Sequence, residues 1–155
     1  MAILIMPVIV IYDSAFGNTE QIARAITGGL ATSGEVQISR VGDIKPSGLA
    51  GAKLVVIGSP TQGGRPTPAM RDFLDGIPRD ALQGVRVAVF DTRLSTKLVG
   101  VFGYAAGRIA GDLKKKGGNL ITPPEGFFVT SSKGPLRDGE LERAANWAKK
   151  LDNPA

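Results

Sequence analysis

Neither cysteine nor histidine occurs among the 155 residues of this chain, which excludes disulfides, thiolate nucleophiles, thiolate-held zinc, cysteine-ligated iron–sulfur clusters, imidazole bases and Ser-His-Asp triads together. Any redox chemistry must therefore sit on a bound cofactor. An apolar content of 43% suffices for one continuous core, and the net charge of +5 favours acidic partners, with the basic residues too scattered for a specific nucleic-acid site.

Met1 to Tyr12 is strongly apolar but too short to span a bilayer, and it lacks a cationic leader and cleavage site, so no membrane association and a cytoplasmic location are expected. Val8-Ile9-Val10-Ile11-Tyr12 is continuously apolar and β-branched, the composition of a strand covered on both faces. Pro7 cannot donate to a ladder and is expected at the start of that strand. From Glu20 to Leu30, the spacing of Ile22, Ala23, Ile26 and Leu30 predicts a helix with one buried face. Val36-Gln37-Ile38-Ser39 alternates in polarity like a half-exposed edge strand, whereas Leu54-Val55-Val56-Ile57 is apolar throughout like an interior one.

Thr67 and Pro68 make a helix start, with Ala69, Met70, Phe73 and Leu74 as the buried stripe. Val85 to Phe90 supplies a fourth strand. After a loop, a helix from about Gly103 presents Ala105, Ala106, Ile109, Ala110 and Leu113 inward, and Gly117 ends it. The run Lys114-Lys115-Lys116 falls in that helix's last turn, where cations complement the helix dipole. Asn119 to Val129 reads as a fifth strand interrupted at Pro123-Pro124, and a last helix from about Gly139 presents Leu141, Ala144, Ala145, Ala148 and Leu151. Gly134 to Glu140 reads as a turn and helix start without chemistry. Five βα units predict one α/β domain over residues 1–155, with a parallel sheet and right-handed crossovers.

In such sheets ligands bind beyond the carboxyl ends of the strands, which singles out three loops. The first, Asp13 to Thr19, lies between a buried strand and a helix. Its backbone N–H groups can wrap an anion at the positive helix end, with Ser14, Asn18 and Thr19 adding side-chain donors; equally, those side chains can simply cap the helix. It holds no Lys or Arg, so a bound phosphate would rest on dipoles and hydrogen bonds. The second, Gly58 to Pro66, joins rigid Pro60 to permissive Gly63-Gly64, which suits either a close approach to a planar ligand or a plain connection. In the third, Asp91 through Phe102, Asp91 and Arg93 suit an ion pair or contact with a ligand edge, and Phe102 and Tyr104 offer aromatic rings.

The stretch Tyr12-Asp13-Ser14-Ala15-Phe16-Gly17-Asn18-Thr19-Glu20 resembles the phosphate loop of flavodoxins, Thr/Ser-x-Thr-Gly-x-Thr, with Phe16 in place of the usual hydroxyl residue. The resemblance implies a flavodoxin-like three-layer α/β sandwich, a five-stranded parallel sheet of order 2-1-3-4-5, and FMN as cofactor. It implies side-chain bonds to phosphate from Ser14, Asn18 and Thr19, and backbone donors from Ala15, Phe16 and Gly17. Pro60, Thr61, Gln62, Gly63 and Gly64 would flank the isoalloxazine ring, with a carbonyl near Gln62 or Gly63 turning toward N5 when that atom carries a proton. Asp91, Thr92, Arg93 and Phe102 would flank its other side.

Other ligands of similar sheets fit poorly. A receiver domain needs an acidic cluster after the first strand and an Asp ending the third, where this chain has Asp13 alone and Ser59; neither G-x-G-x-x-G nor a P-loop follows the first strand. The resemblance thus implies an electron carrier working between a reductase and partner proteins, expected as a monomer, and the net positive charge implies acidic docking surfaces on those partners. Gly58-Ser59-Pro60-Thr61 followed by Met70-Arg71-Asp72-Phe73-Leu74-Asp75 also resembles NAD(P)H:quinone reductases of the flavodoxin-like group, although the chain lacks their insertions. A flavin-free interaction module on the same fold is the third reading. Arg65 and Arg93 in the proposed flavin loops predict a smaller penalty on the fully reduced anion than in acidic flavodoxins.

Overall fold

The computed structural model describes residues 6–31, 34–95 and 103–152. Its elements are β1 (Val8–Tyr12), α1 (Asn18–Gly29), β2 (Val36–Arg40), β3 (Leu54–Pro60), α2 (Pro68–Asp75), β4 (Arg86–Leu94), α3 (Ala105–Lys115), β5 (Asn119–Leu120), β6 (Glu125–Val129) and α4 (Glu140–Asp152). Two short 3-10 turns, Val41–Asp43 and Pro46–Leu49, bridge β2 and β3.

All strand pairs are parallel, in the order β2-β1-β3-β4, and β5 and β6 both pair with the outer edge of β4. β5 meets Arg86 and Val87, while β6 meets Phe90 to Leu94. Together they fill one fifth position, split where Pro123-Pro124 offers no N–H to a ladder. The sheet therefore has the 2-1-3-4-5 order that the flavodoxin resemblance implied.

Successive strand residues point to opposite faces, so strands covered on both sides must be apolar at every position. Ile9, Ile11, Val55, Ile57, Val87 and Val89 share one core with Met70, Phe73 and Leu74 of α2 and Ile109 and Leu113 of α3. Val8, Val10, Tyr12, Val56, Ala88 and Phe90 share the other with Ile22 and Ile26 of α1 and Trp147 and Leu151 of α4. In that second core Phe90, Phe127 and Trp147 meet edge to face, with ring centroids 6.0–6.3 Å apart. Gly29 lets α1 and α4 approach closely, since a Cβ there would fall 2.4 Å from the Ala145 carbonyl oxygen.

Departures from the sequence expectations have local causes. β4 continues past Phe90 because β6 pairs along its polar end, burying Asp91 and Thr92. In α4 the inward stripe is Glu140, Ala144, Trp147, Ala148 and Leu151, which leaves Leu141 44% exposed. Ala69 is likewise exposed on α2. The helix expected from Gly103 starts at Ala105, and Phe102 lies outside the described residues. Among the described residues no helix is long and apolar enough to cross a membrane.

Candidate functional site

β1 delivers Asp13 to Gly17 to the carboxyl edge of the sheet, where Gly17 adopts φ +89 before the first turn of α1. Ser14 is buried, and its Oγ accepts the N–H groups of Gly17 (3.1 Å) and Glu20 (3.3 Å). Both lone pairs are thereby used, and the hydroxyl hydrogen is left to donate. Beneath it, the Asp13 carboxylate accepts the Ser14 N–H at 2.9 Å and the Thr67 hydroxyl, tying the loop to the start of α2. The Arg40 guanidinium donates to the Ser14 carbonyl and stands 3.8 Å from Asp13 Oδ1. Among the described residues no protein acceptor serves the N–H groups of Ala15, Phe16, Asn18 or Thr19. These are the orphan donors expected at a helix mouth, where the dipole is positive.

In the second loop, Gln62 and Arg65 exchange two backbone hydrogen bonds, 2.8 and 3.1 Å long, around Gly63 (φ +58) and Gly64 (φ +80). Left-handed φ at both central residues makes this a tight two-residue turn of the kind that favours glycine, asparagine or aspartate. Arg108 Nε of α3 donates to the Gly64 carbonyl at 2.8 Å. The carbonyls of Gln62, Gly64 and Arg65 are thus engaged, and Gly63 carries the one free carbonyl at the tip among the described residues. Thr61 Oγ1 accepts the Ala105 N–H at 3.0 Å, joining this loop to the start of α3.

At the third strand end, Asp91 is fully buried and does not reach the cavity. Its carboxylate accepts Arg93 Nε at 2.6 Å and a second guanidinium nitrogen at 2.8 Å, and also the Ala106 N–H at 2.9 Å. Arg93 stacks 3.4 Å from the centroid of Tyr104, so that ring is engaged with the guanidinium. The alternatives left open in the sequence are thereby separated: Asp91 and Arg93 form an ion pair, and Arg93 faces the cavity. Thr92 Oγ1 lies 2.8 Å from Thr19 Oγ1.

These three strand ends enclose a cavity of about 380 Å³, within the size range of small-molecule sites. Ser14, Ala15, Phe16, Asn18 and Thr19 wall one end, Pro60 to Gly64 one side, and Thr92 and Arg93 the other. Gly17 shapes the loop without lining the cavity. Leu94, Val129 and Ser132 also line it and were not singled out from the sequence. No acidic side chain lines the cavity among the described residues. Orphan N–H donors, hydroxyls and an apolar flank suit a ligand with one phosphate and one planar ring.

The turn after β6 packs against the end of the cavity that residues 14–19 wall, with Ser132 in the lining. Asn18 Nδ2 donates to the Lys133 carbonyl at 3.2 Å, and Gly134 backs against the Asn18 amide so closely that a Cβ would fall 2.5 Å from Oδ1. The base of this turn is clamped by Glu140, which accepts the Phe128 N–H at 2.7 Å and pairs with Arg143. Burial pushes the Glu140 carboxyl up, but hydrogen bonds from Arg143 and Phe128, with the charges of Arg143 and Arg137, outweigh it and hold the group below its ordinary value.

The sequence matches the family model described as Flavodoxin over residues 10–147. A comparison with curated proteins finds no match. Among solved structures, the chain is similar to a flavodoxin from the domain Archaea, at 25% identity and TM-score 0.79, covering 95% of this chain and 96% of that one. It is similar to oxidised flavodoxin 1 from Bacillus cereus at 20% identity and TM-score 0.76, covering 96% and 99%. A WrbA-like flavodoxin protein from Agrobacterium tumefaciens shares the fold at 19% identity and TM-score 0.73, covering 96% of each chain.

Proposed function

As the chain belongs to the flavodoxin family, we propose that it is an FMN-dependent electron carrier, a single cytoplasmic domain acting as a monomer between a reductase and partner proteins. The observation that carries this reading is the set of N–H groups at the mouth of α1 that lack a protein acceptor among the described residues, beside a cavity that no described acidic side chain lines. The N–H groups of Ala15, Phe16, Asn18 and Thr19, with the Ser14 hydroxyl, hold the phosphate. Pro60 to Gly64 and Thr92 to Leu94 flank the ring and exclude water from it. The free Gly63 carbonyl serves as acceptor for a protonated ring nitrogen. When bound, FMN supplies the one- and two-electron chemistry that no side chain of this chain offers.

The test is titration of the apoprotein with FMN, followed by absorption spectra through stepwise reduction. Tight binding of FMN is expected; a folded apoprotein without affinity for it overturns the reading and leaves a flavin-free module. The quinone reductase reading predicts steady oxidation of NADH or NADPH with menadione, whereas the carrier shows turnover only when a separate reductase is added.

A further inference from the structure

We propose that Lys133, carried on the turn after β6, supplies the FMN phosphate with the counter-charge that residues 14–19 lack; this rests on the FMN assignment above. The turn is docked on the first residue of α1: the Lys133 carbonyl accepts from Asn18 Nδ2 at 3.2 Å, and Gly134 (φ +98) packs on the same amide. The preceding residue, Ser132, lines the cavity. The turn is itself held by the Gly134 N–H donating to the Ser131 carbonyl at 2.9 Å. Lys133 therefore starts beside the orphan N–H groups, within reach of a flexible four-carbon stem.

Its ammonium rests 5.9 Å from the centroid of Phe16, a cavity-lining ring that is 56% exposed. That ring replaces a phosphate-directed hydroxyl with a face that attracts a cation, and so keeps the ammonium at the phosphate end. The neighbouring cations are already balanced. Arg24 pairs with Glu20 at 2.9 Å, Arg40 stands 3.8 Å from Asp13, and Arg93 pairs with Asp91 at 2.6 Å. Among the described residues, Lys133 has no carboxylate partner within ion-pair distance, so its charge is the one uncompensated at this end of the cavity.

The experiment compares FMN with riboflavin, which lacks the phosphate, by quenching of flavin fluorescence on titration of the full-length apoprotein at low and high salt. For Lys133→Met, FMN affinity is expected to fall roughly fivefold, the range of one solvent-accessible charge pair. Riboflavin affinity is unchanged, the salt dependence of FMN binding is reduced, and Lys133→Arg stays close to the parent protein. An equal loss for both flavins, or an unchanged ratio of FMN to riboflavin affinity, overturns the role of Lys133 while the FMN assignment stands. A parent protein that does not prefer FMN over riboflavin overturns both.

Discussion

The hydroxyl oxygens of Thr19 and Thr92 lie 2.8 Å apart although 73 residues separate them in the chain, and both side chains are buried. This bond joins the first turn of α1 to the end of β4, and so ties together two walls of the cavity. Removing one partner leaves the other hydroxyl buried without it, at a cost of about 1–2 kcal/mol, whereas removing both leaves nothing unpaired. Thr19→Val and Thr92→Val are therefore each expected to destabilise the apoprotein, and the double variant by less than their sum, as urea denaturation measures. Strict additivity would show that the two hydroxyls do not depend on each other.

Ser14 has a different task from the other hydroxyls of its loop. By accepting from Gly17 and Glu20, it folds residues 14–17 back over the start of α1, and among the described residues the N–H groups of Ala15 and Phe16 are left without a protein acceptor. Ser14→Ala is expected to cost about 1 kcal/mol of stability, as for loss of a helix cap. It should also weaken FMN more than riboflavin, because loop and donor are lost together. Paired titrations with the two flavins check this; equal effects would make Ser14 a structural cap alone.

Much of this architecture was legible because the strands are buried on both faces, so Val8 to Tyr12 and Leu54 to Ile57 announce themselves as unbroken apolar runs. Thr67-Pro68 likewise marks a helix start by its own chemistry, with Thr67 Oγ1 accepting the Met70 N–H at 3.2 Å. What stayed hidden was non-local. Asp91-Thr92-Arg93 looks like a solvated loop until β6 pairs beside it and Arg93 neutralises Asp91. Nothing in Ser132-Lys133-Gly134 advertises that the turn docks on Asn18, since the contact exists only once the fold brings the ends of β1 and β6 together. In α4 the helix phase buries Glu140 instead of Leu141, because the carboxylate finds both a backbone N–H and Arg143.

That buried carboxylate gives the protein an acid-sensitive element. The folded-state pKa of Glu140 lies below the ordinary 4.5, so the unfolded chain takes up the proton first. Its contribution to stability is complete well above pH 4.5 and is lost as pH falls from there through the lowered value. Glu140→Gln should therefore lower stability at pH 7 and flatten the acid limb of the stability profile, narrowing its difference from the parent protein near pH 3. Denaturation midpoints across that range test the sign: a difference that widens toward acid pH contradicts it.

The Asp91–Arg93 pair is expected to bear on the reduction potential of bound FMN. Arg93 lines the cavity, and its charge alone would favour a fully reduced, anionic flavin. Yet Asp91 is fully buried and binds the guanidinium through both oxygens, so the pair presents little net charge. The easing of the reduced anion expected from the sequence is thus largely cancelled at Arg93 and left to Arg65, which is exposed and screened by salt. Asp91→Asn keeps an oxygen for the Ala106 N–H but removes the balancing charge. It is expected to cost about 3 kcal/mol of stability, the low end for a broken buried pair because Arg93 keeps some exposure. It should also raise the two-electron midpoint potential of bound FMN by an amount on the order of tens of millivolts. Potentiometric titration of the reconstituted variant decides the matter: an unchanged or lowered potential would mean that Asp91 does not set the charge that the flavin experiences.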